Sequence, residues 1–297
     1  MRGGNRFLSL LLLIALIFSF TGCGSELISL DDIPDYTDKP YVEINGNEPF
    51  FEENEITETA YESYSDLDAL GRCGVAMACL GHELAPDGPR GDISSVFPSG
   101  WEYGGVSNNR EYDFGYPYNR CHLIGFQLSG ENANEKNLIT GTRYMNYEGM
   151  LPLENLVDDY IEDTENHVMY RVTPIYDGYN YLADGVLMEA LSVEDDGSGI
   201  EFCVFVYNVQ PGIEINYFTG QNRKVGDTST SISPDDITGP QGGDDAITFV
   251  INKSSKKFHL PDASCLSNMK EENKQTTSKT RQELIDGGYD PCKTCNP

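Results

Sequence analysis

The sequence predicts an α+β fold built on an antiparallel sheet, and three observations carry that prediction. Residues 167–175, 181–191 and 201–209 are β-branched or alternate apolar with polar, and Gly or Asp clusters separate them, which is the pattern of consecutive strands. Just before them, Leu153, Leu156, Val157 and Tyr160 recur at intervals of three and four, the spacing of one helix face, over residues 152–160. A hydrophobic content of 39% in 297 residues is sufficient for a real core in one or two domains.

At the start of the chain, Arg2 and Arg6 precede an apolar run at residues 7–20, too short to span a membrane comfortably. The tetrapeptide Phe20-Thr21-Gly22-Cys23 resembles a bacterial lipoprotein box. That implies a signal peptide at 1–23, cleavage before Cys23 and a membrane anchor through its acylated thiol. An ordinary secretory signal with a chance cysteine is the alternative. Residues 24–58 are rich in acids, with Lys39 the one base and Pro34, Pro40 and Pro49 as interruptions. Their apolar residues follow no period, which predicts a solvated acidic tether.

The globular part is expected over 59–225. Residues 70–76 suggest a strand entering the core, and Ser99-Gly100-Trp101 a turn with an aromatic anchor. Residues 116–122 and 137–140 are short apolar approaches to a polar stretch. Residues 226–246 are rich in Ser, Thr, Asp, Gly and Pro, and read as a linker. A small module at 247–297 follows, opening on an apolar run at 247–251. It holds eight Lys and Arg against six acids, a basic excess within an otherwise acidic protein.

The chemistry concentrates between residues 118 and 154. Asn119-Arg120-Cys121-His122 places a His two residues after an Arg, at the start of an apolar run. Asn132, Asn134, Asn137 and Asn146 follow, and then the acid Glu154. Such a set can activate water, brace a phosphate and hold a hard cation. Neutral imidazole accepts a proton near pH 7. Mg²⁺ keeps several waters and needs few protein ligands, so one amide oxygen can suffice. His82 and His167 sit in less informative contexts and read as structural or surface residues.

This stretch resembles the DNA/RNA non-specific endonucleases of the ββα-metal type, and most of all their DNA-entry nuclease branch. The family signature Asp-Arg-Gly-His stands here as Asn119-Arg120-Cys121-His122. The phrases Tyr170-Arg171-Val172-Thr173-Pro174 and Val206-Tyr207-Asn208-Val209-Gln210-Pro211-Gly212 extend the likeness over roughly residues 60–215. The resemblance implies a ββα-metal nuclease core and cleavage of DNA and RNA to 5′-phosphate and 3′-hydroxyl ends. It implies His122 as general base and one Mg²⁺ held through Asn146. It also implies Asn137 as a second asparagine near the active site and Glu154 as the acid that orients the metal's water shell. Arg120 is either a phosphate brace or a partner in a buried ion pair. Asn119 in place of Asp alters the charge balance around Arg120. Cys121 in place of Gly requires that a side chain fit the same backbone.

A formal net charge of −28 argues against a broad basic groove, the usual source of non-specific nucleic-acid affinity. A narrow site using Mg²⁺ and a few arginines is the expectation, with Arg72, Arg90, Arg110 and Arg143 as unranked phosphate binders. Two rival readings are open. Cys121 beside His122 suggests a thiol enzyme, although neighbours on a strand face opposite ways. A lipid-anchored acidic chain is also compatible with a catalytically impaired, nuclease-like surface binding lipoprotein.

In the last module, His259, Cys265 and the Cys292-Lys293-Thr294-Cys295 knuckle supply four ligands for a tetrahedral Zn²⁺. The flanking phrases resemble small zinc modules related to the metal-binding domain of methylphosphotriester repair proteins. Those modules use four cysteines, so His259 departs from them. A disulfide among Cys265, Cys292 and Cys295 is the alternative. Cys73, Cys79 and Cys203 offer no metal spacing.

Overall fold

The computed structural model describes residues 28–227, 249–259, 266, 269–277, 279, 284 and 287–292. The segment 1–23 with Cys23, most of the linker, Cys265 and Cys295 lie outside the described residues.

The chain opens with β1 (Tyr41–Glu43), β2 (Tyr61–Tyr64) and β3 (Ala76–Leu80), then a ribbon of β4 (Glu102–Tyr103) and β5 (Val106–Ser107). Next, β6 (Tyr118–His122) and β7 (Leu138–Thr142) flank the short helix α1 (Phe126–Ser129). A π-helical turn at Met145–Met150 runs directly into α2 (Leu151–Thr164). Three long strands follow, β8 (Val168–Ile175), β9 (Gly185–Ser192) and β10 (Glu201–Tyr207), and then a ribbon of β11 (Ile213–Ile215) and β12 (Asn222–Lys224). The main sheet has the order β1-β10-β9-β8-β3-β2, with every neighbour antiparallel. The expected helix and the three expected strands are α2, β8, β9 and β10. Residues 181–184 stay outside the ladder and lead into β9.

Side chains alternate across each strand. In β9 and β10, Val186, Met188, Ala190, Val204 and Val206 join one core with Cys121, Ile139, Met150, Leu153 and Val157. Leu187, Cys203, Phe205 and Tyr207 turn to the other face and pack with Ile44, Ile28, Leu30, Ile33, Tyr36, Val42 and Phe50. The hairpin β6–β7 and α2 therefore cover one face, and the segment before residue 58 covers the other.

That second cover corrects the expected tether. Residues 28–58 are folded onto the sheet, and β1 extends it by pairing with β10 from Tyr41↔Val206 to Glu43↔Val204. Their apolar residues show no period because most of the segment is irregular cover, neither helix nor strand. A second expectation also shifts. Residues 70–75 form a turn, not a strand: Asp68 Oδ1 accepts from the amides of Leu70 and Arg72, Gly71 sits at φ +74°, and β3 starts at Ala76.

A buried ion pair ties the cover to the sheet. Arg171 of β8 lies opposite Glu189 of β9 and donates to both of its oxygens at 2.7 and 2.8 Å. Glu189 also accepts from the Phe50 amide at 2.8 Å, Arg171 reaches Glu55 at 3.3 Å, and its guanidinium lies 4.6 Å from the Phe51 ring centre. Cys73, Cys79, Cys121 and Cys203 are free, buried thiols, and Cys292 is buried.

The C-terminal module has its own sheet, β15-β13-β14-β16, from β13 (Phe249–Asn252), β14 (Lys257–His259), β15 (Lys274–Thr277) and β16 (Asp290–Pro291). Phe249, Ile251, Phe258 and Leu284 form its core.

Arg171→Ala leaves the fully buried Glu189 carboxylate without its cation, a change that typically costs about 3–5 kcal/mol. Urea unfolding of the variant should show a midpoint lowered accordingly. An unchanged midpoint would mean that the pair does not hold the second cover.

Candidate active site

The site is built on the hairpin of β6 and β7, which pair in register from Tyr118↔Thr142 to His122↔Leu138. Cys121 turns into the core and is fully buried, whereas Arg120 and His122 line a cleft of about 640 Å³. Gly141 on β7 has no side chain where the Cys121 thiol sits, so Cys121 occupies the strand without strain on its backbone. Burial pushes the Cys121 thiol far up, which suits a buried structural cysteine. It does not line the cleft, so the thiol-enzyme reading is set aside.

Asn137 is buried beneath the loop that follows His122. Its Oδ1 accepts from the Ile124 amide at 2.9 Å and its Nδ2 donates to the Ile124 carbonyl at 3.0 Å, while its own carbonyl accepts from the Leu123 amide. Both ends of the carboxamide are thus occupied, and Asn137 does not line the cleft. This corrects its expected catalytic role: it positions the loop. That loop carries Gly125, where a Cβ would press on the Glu154 carboxyl at 3.0 Å.

His122 is held at both ring nitrogens. A carbonyl can only accept, so the 2.8 Å contact to the Asn132 carbonyl places the proton on Nε2. Nδ1 then presents its lone pair, and the Arg90 guanidinium donates to it at 3.2 Å. Burial first of all lowers His122 to about 4; the Asn132 contact opposes this, and the Arg90 charge adds to it. At neutral pH the ring is an uncharged base with a fixed tautomer.

Glu154, in the first turn of α2, is buried against the same cleft. Burial pushes its carboxyl up to about 8, Arg90 opposes the rise and Asp158 adds to it. Asn146 lies on the π-helical turn and lines the cleft; its side chain makes no hydrogen bond within the described residues. His122, Arg120, Asn146 and Glu154 are therefore brought together from one strand, the π-helical turn and α2.

Arg120 lines the cleft and, among the described residues, is in no buried ion pair. Its Nε and Nη2 donate to the carbonyls of Val96 and Ser94, and its guanidinium lies 4.1 Å from the Trp101 ring centre. It is engaged by backbone carbonyls and an aromatic face at the edge of the cleft, not by a buried acid. The four unranked arginines now separate. Arg72 is bound to Asp68 and to the carbonyls of Gly178 and Asn180, and Arg110 to Tyr112 and the Asn222 carbonyl. Arg90 and Arg143 line the cleft and are exposed. The Asn132 contact escaped the sequence because a backbone carbonyl has no residue-type signal. His167 is structural, paired with Glu194 at 2.6 Å.

The low His122 value fixes a pH dependence. Its folded pKa lies below the ordinary 6.5, so the folded state binds its proton less readily than the unfolded chain. The stabilisation is complete above about 6.5 and is lost as pH falls towards about 4. Proton NMR of the imidazole ring should show His122 titrating near pH 4. Titration at the ordinary value would mean that the ring is not buried as described.

Residues 53–194 match the family described as DNA/RNA non-specific endonuclease. A deoxyribonuclease from Streptococcus dysgalactiae subsp. equisimilis is 38% identical over 104 residues, 33% of this chain and 31% of that protein. The chain thus spans about a third of that curated relative. The crystal structure of NucA from Streptococcus agalactiae with magnesium bound is 25% identical, with a TM-score of 0.55 over 66% of this chain and 92% of that one. The Sda1 nuclease structure with bound zinc is 27% identical, with a TM-score of 0.55 over 62% and 96%. Residues 53–194, with the His122 hairpin at their centre, are thus a DNA/RNA non-specific endonuclease domain.

Proposed function

We propose that the protein is a metal-dependent endonuclease that hydrolyses phosphodiester bonds in DNA and RNA, with His122 as general base. The observation that carries this is the His122 ring: a neutral imidazole, its proton fixed on Nε2, its Nδ1 lone pair at the cleft beside Arg90. When the substrate phosphate draws the Arg90 guanidinium away from Nδ1, that lone pair takes the proton of a water as its oxygen attacks phosphorus. Arg90 and Arg143 hold the non-bridging phosphate oxygens through charge-assisted hydrogen bonds. The bond from phosphorus to the 3′-oxygen breaks, and that oxygen takes a proton from a solvent water, leaving a 5′-phosphate and a 3′-hydroxyl. Arg120 keeps the cleft wall in place through the 94–96 carbonyls.

The donor set fits a hard cation. The Asn146 carboxamide is unengaged, and Glu154 is a buried carboxyl raised by desolvation at the same cleft, a state that a nearby cation relieves. Among the described residues no group of three His, Cys, Asp or Glu could hold a metal, so an amide oxygen with water is the fitting shell. Asn146 would hold Mg²⁺ and Glu154 would orient its waters, as NucA's bound magnesium suggests. Mg²⁺ supplies a Lewis acid for the charge on the departing oxygen. The leader pattern at 1–23 supports an extracellular, lipid-anchored location through Cys23.

For the C-terminal module, Zn²⁺ held by His259, Cys265, Cys292 and Cys295 remains our proposal. Two of the four are described. The pairing Phe258↔Pro291 and the Cys292 amide's bond to the Phe258 carbonyl put His259, at the end of β14, close to Cys292, which directly follows β16. The purified full chain should carry one zinc by elemental analysis. A zinc-free chain with oxidised Cys292 and Cys295 would decide for a disulfide.

The activity test uses duplex DNA, single-stranded DNA and RNA with Mg²⁺ or with chelator. Cleavage should require the metal, and no cleavage of any of the three would sink the nuclease reading. His122→Ala should lower turnover by about 10²- to 10⁴-fold with little change in the Mg²⁺ midpoint. Asn146→Ala should raise that midpoint and recover partly at excess Mg²⁺. The reverse pattern would mean that the two roles are wrongly assigned.

A further inference from the structure

We propose that the rim of the cleft is a stacking platform for the bases of single-stranded nucleic acid, formed by Tyr116, Tyr147 and Phe114. The proposal rests on the nuclease reading and adds to it which form of substrate the site prefers.

The three rings are exposed where a core residue would not be: Tyr116 at 50%, Tyr147 at 45% and Phe114 at 41%. Isolated exposed aromatics are ordinary, but these are placed along one path. Tyr116 and Tyr147 line the His122 cleft, and Tyr147 and Phe114 line a second cavity of about 400 Å³. Arg143 lines both cavities. The path therefore runs from the reacting phosphate outwards without a break in its lining.

Two of the rings already end a stack of flat groups. The Arg110 guanidinium lies 5.1 Å from the Tyr112 ring centre, and Tyr112 is stacked on Phe114 at 5.4 Å with 6° between planes. Phe114 is the last member of this column and keeps its exposed surface at the second cavity. Likewise, the Arg143 guanidinium sits 4.7 Å from the Tyr147 ring centre. The next flat group in either column is a base.

The column is held rigid. Tyr112 and Gly115 exchange both backbone hydrogen bonds at 2.9 Å, a tight closure for which Gly115 takes φ +98°. The Tyr112 hydroxyl and Arg110 are both bonded to Asn222 of β12. Rings fixed in advance lose little freedom on binding.

Charge explains the need. A chain of net charge −28 gains little from neutralising many phosphates. Stacking does not depend on net charge, and every base offers a flat face. In a duplex those faces lie against each other, so the platform selects strands whose bases are free.

The test uses the full chain carrying His122→Ala, so that strands stay intact, and a short labelled DNA single strand with and without its bases. Binding to the base-bearing strand should be about tenfold tighter or more, and the ratio should persist as salt is raised. Adding Tyr116→Ala, Phe114→Ala and Tyr147→Ala should bring the base-bearing strand down to the abasic level, leaving the abasic affinity within about twofold, given that base stacking is the only term removed. Tyr147→Phe, which keeps the ring, should retain the preference. Equal affinity for the two strands before the ring substitutions, or an equal drop for both after them, overturns the platform. A wild-type chain that cuts nothing with any divalent metal overturns the nuclease reading instead, and leaves the binding comparison to decide the platform separately.

Discussion

Leu187, Cys203 and Phe205 turn to one side of the main sheet while Val186, Met188, Val204 and Val206 turn to the other, and neither side can be left in water. Burying a large apolar side chain is worth about 1.5–3 kcal/mol, so each face requires a cover. One cover is the β6–β7 hairpin with α2, and it carries the site. The other is residues 28–58, strongly acidic yet seated by Ile28, Leu30, Ile33, Tyr36 and Phe50 and fastened at Glu189. The hairpin that carries the candidate site thus stands on a sheet whose far side is closed by residues 28–58.

Within the cleft, burial acts on two groups in opposite senses. It lowers His122 to about 4 and raises Glu154 to about 8, because desolvation penalises whichever form is charged. Arg90 faces both: its charge lowers His122 further and opposes the rise of Glu154. The result is a base that is unprotonated at neutral pH, and a carboxyl that becomes charged readily only when positive charge is near. An uncharged imidazole and a buried carboxyl that a cation would ionise are the complementary parts on which the proposed hydrolysis rests.

Much of this was legible in the chain. Strands β8 to β10 and helix α2 announce themselves by period, and the resemblance carried by the stretch 118–154 points to His122, Asn146 and Glu154, which line one cleft. What was hidden depends on partners distant in sequence. The cover at 28–58 has no period because its conformation is dictated by the sheet beneath it. Asn137 carries the same amide as Asn146, and only its burial under Ile124 shows that it positions the loop. Arg72 and Arg110 are as basic as Arg90 and Arg143 in sequence, and they are eliminated by the carbonyls that occupy them. Cys121 is a departure from the family signature that a glycine on the partner strand, Gly141, makes room for.

The acidity of the chain and an anionic substrate are compatible because the two act over different distances. At physiological ionic strength charges are screened over about 8 Å. A phosphate at His122 therefore responds to Arg90 and Arg143, not to the acids of the 28–58 cover on the opposite face of the sheet. Those acids act on approach, where a long polyanion is repelled, and they make broad electrostatic adhesion to a duplex a poor source of affinity. On the proposed reading, affinity comes from contacts inside the screening distance: two arginines, a cation at Asn146, and flat groups that bind without charge. Arg90, Arg143 and Asn146 all line the cleft, and the exposed rings of Tyr116 and Tyr147 line it beside them.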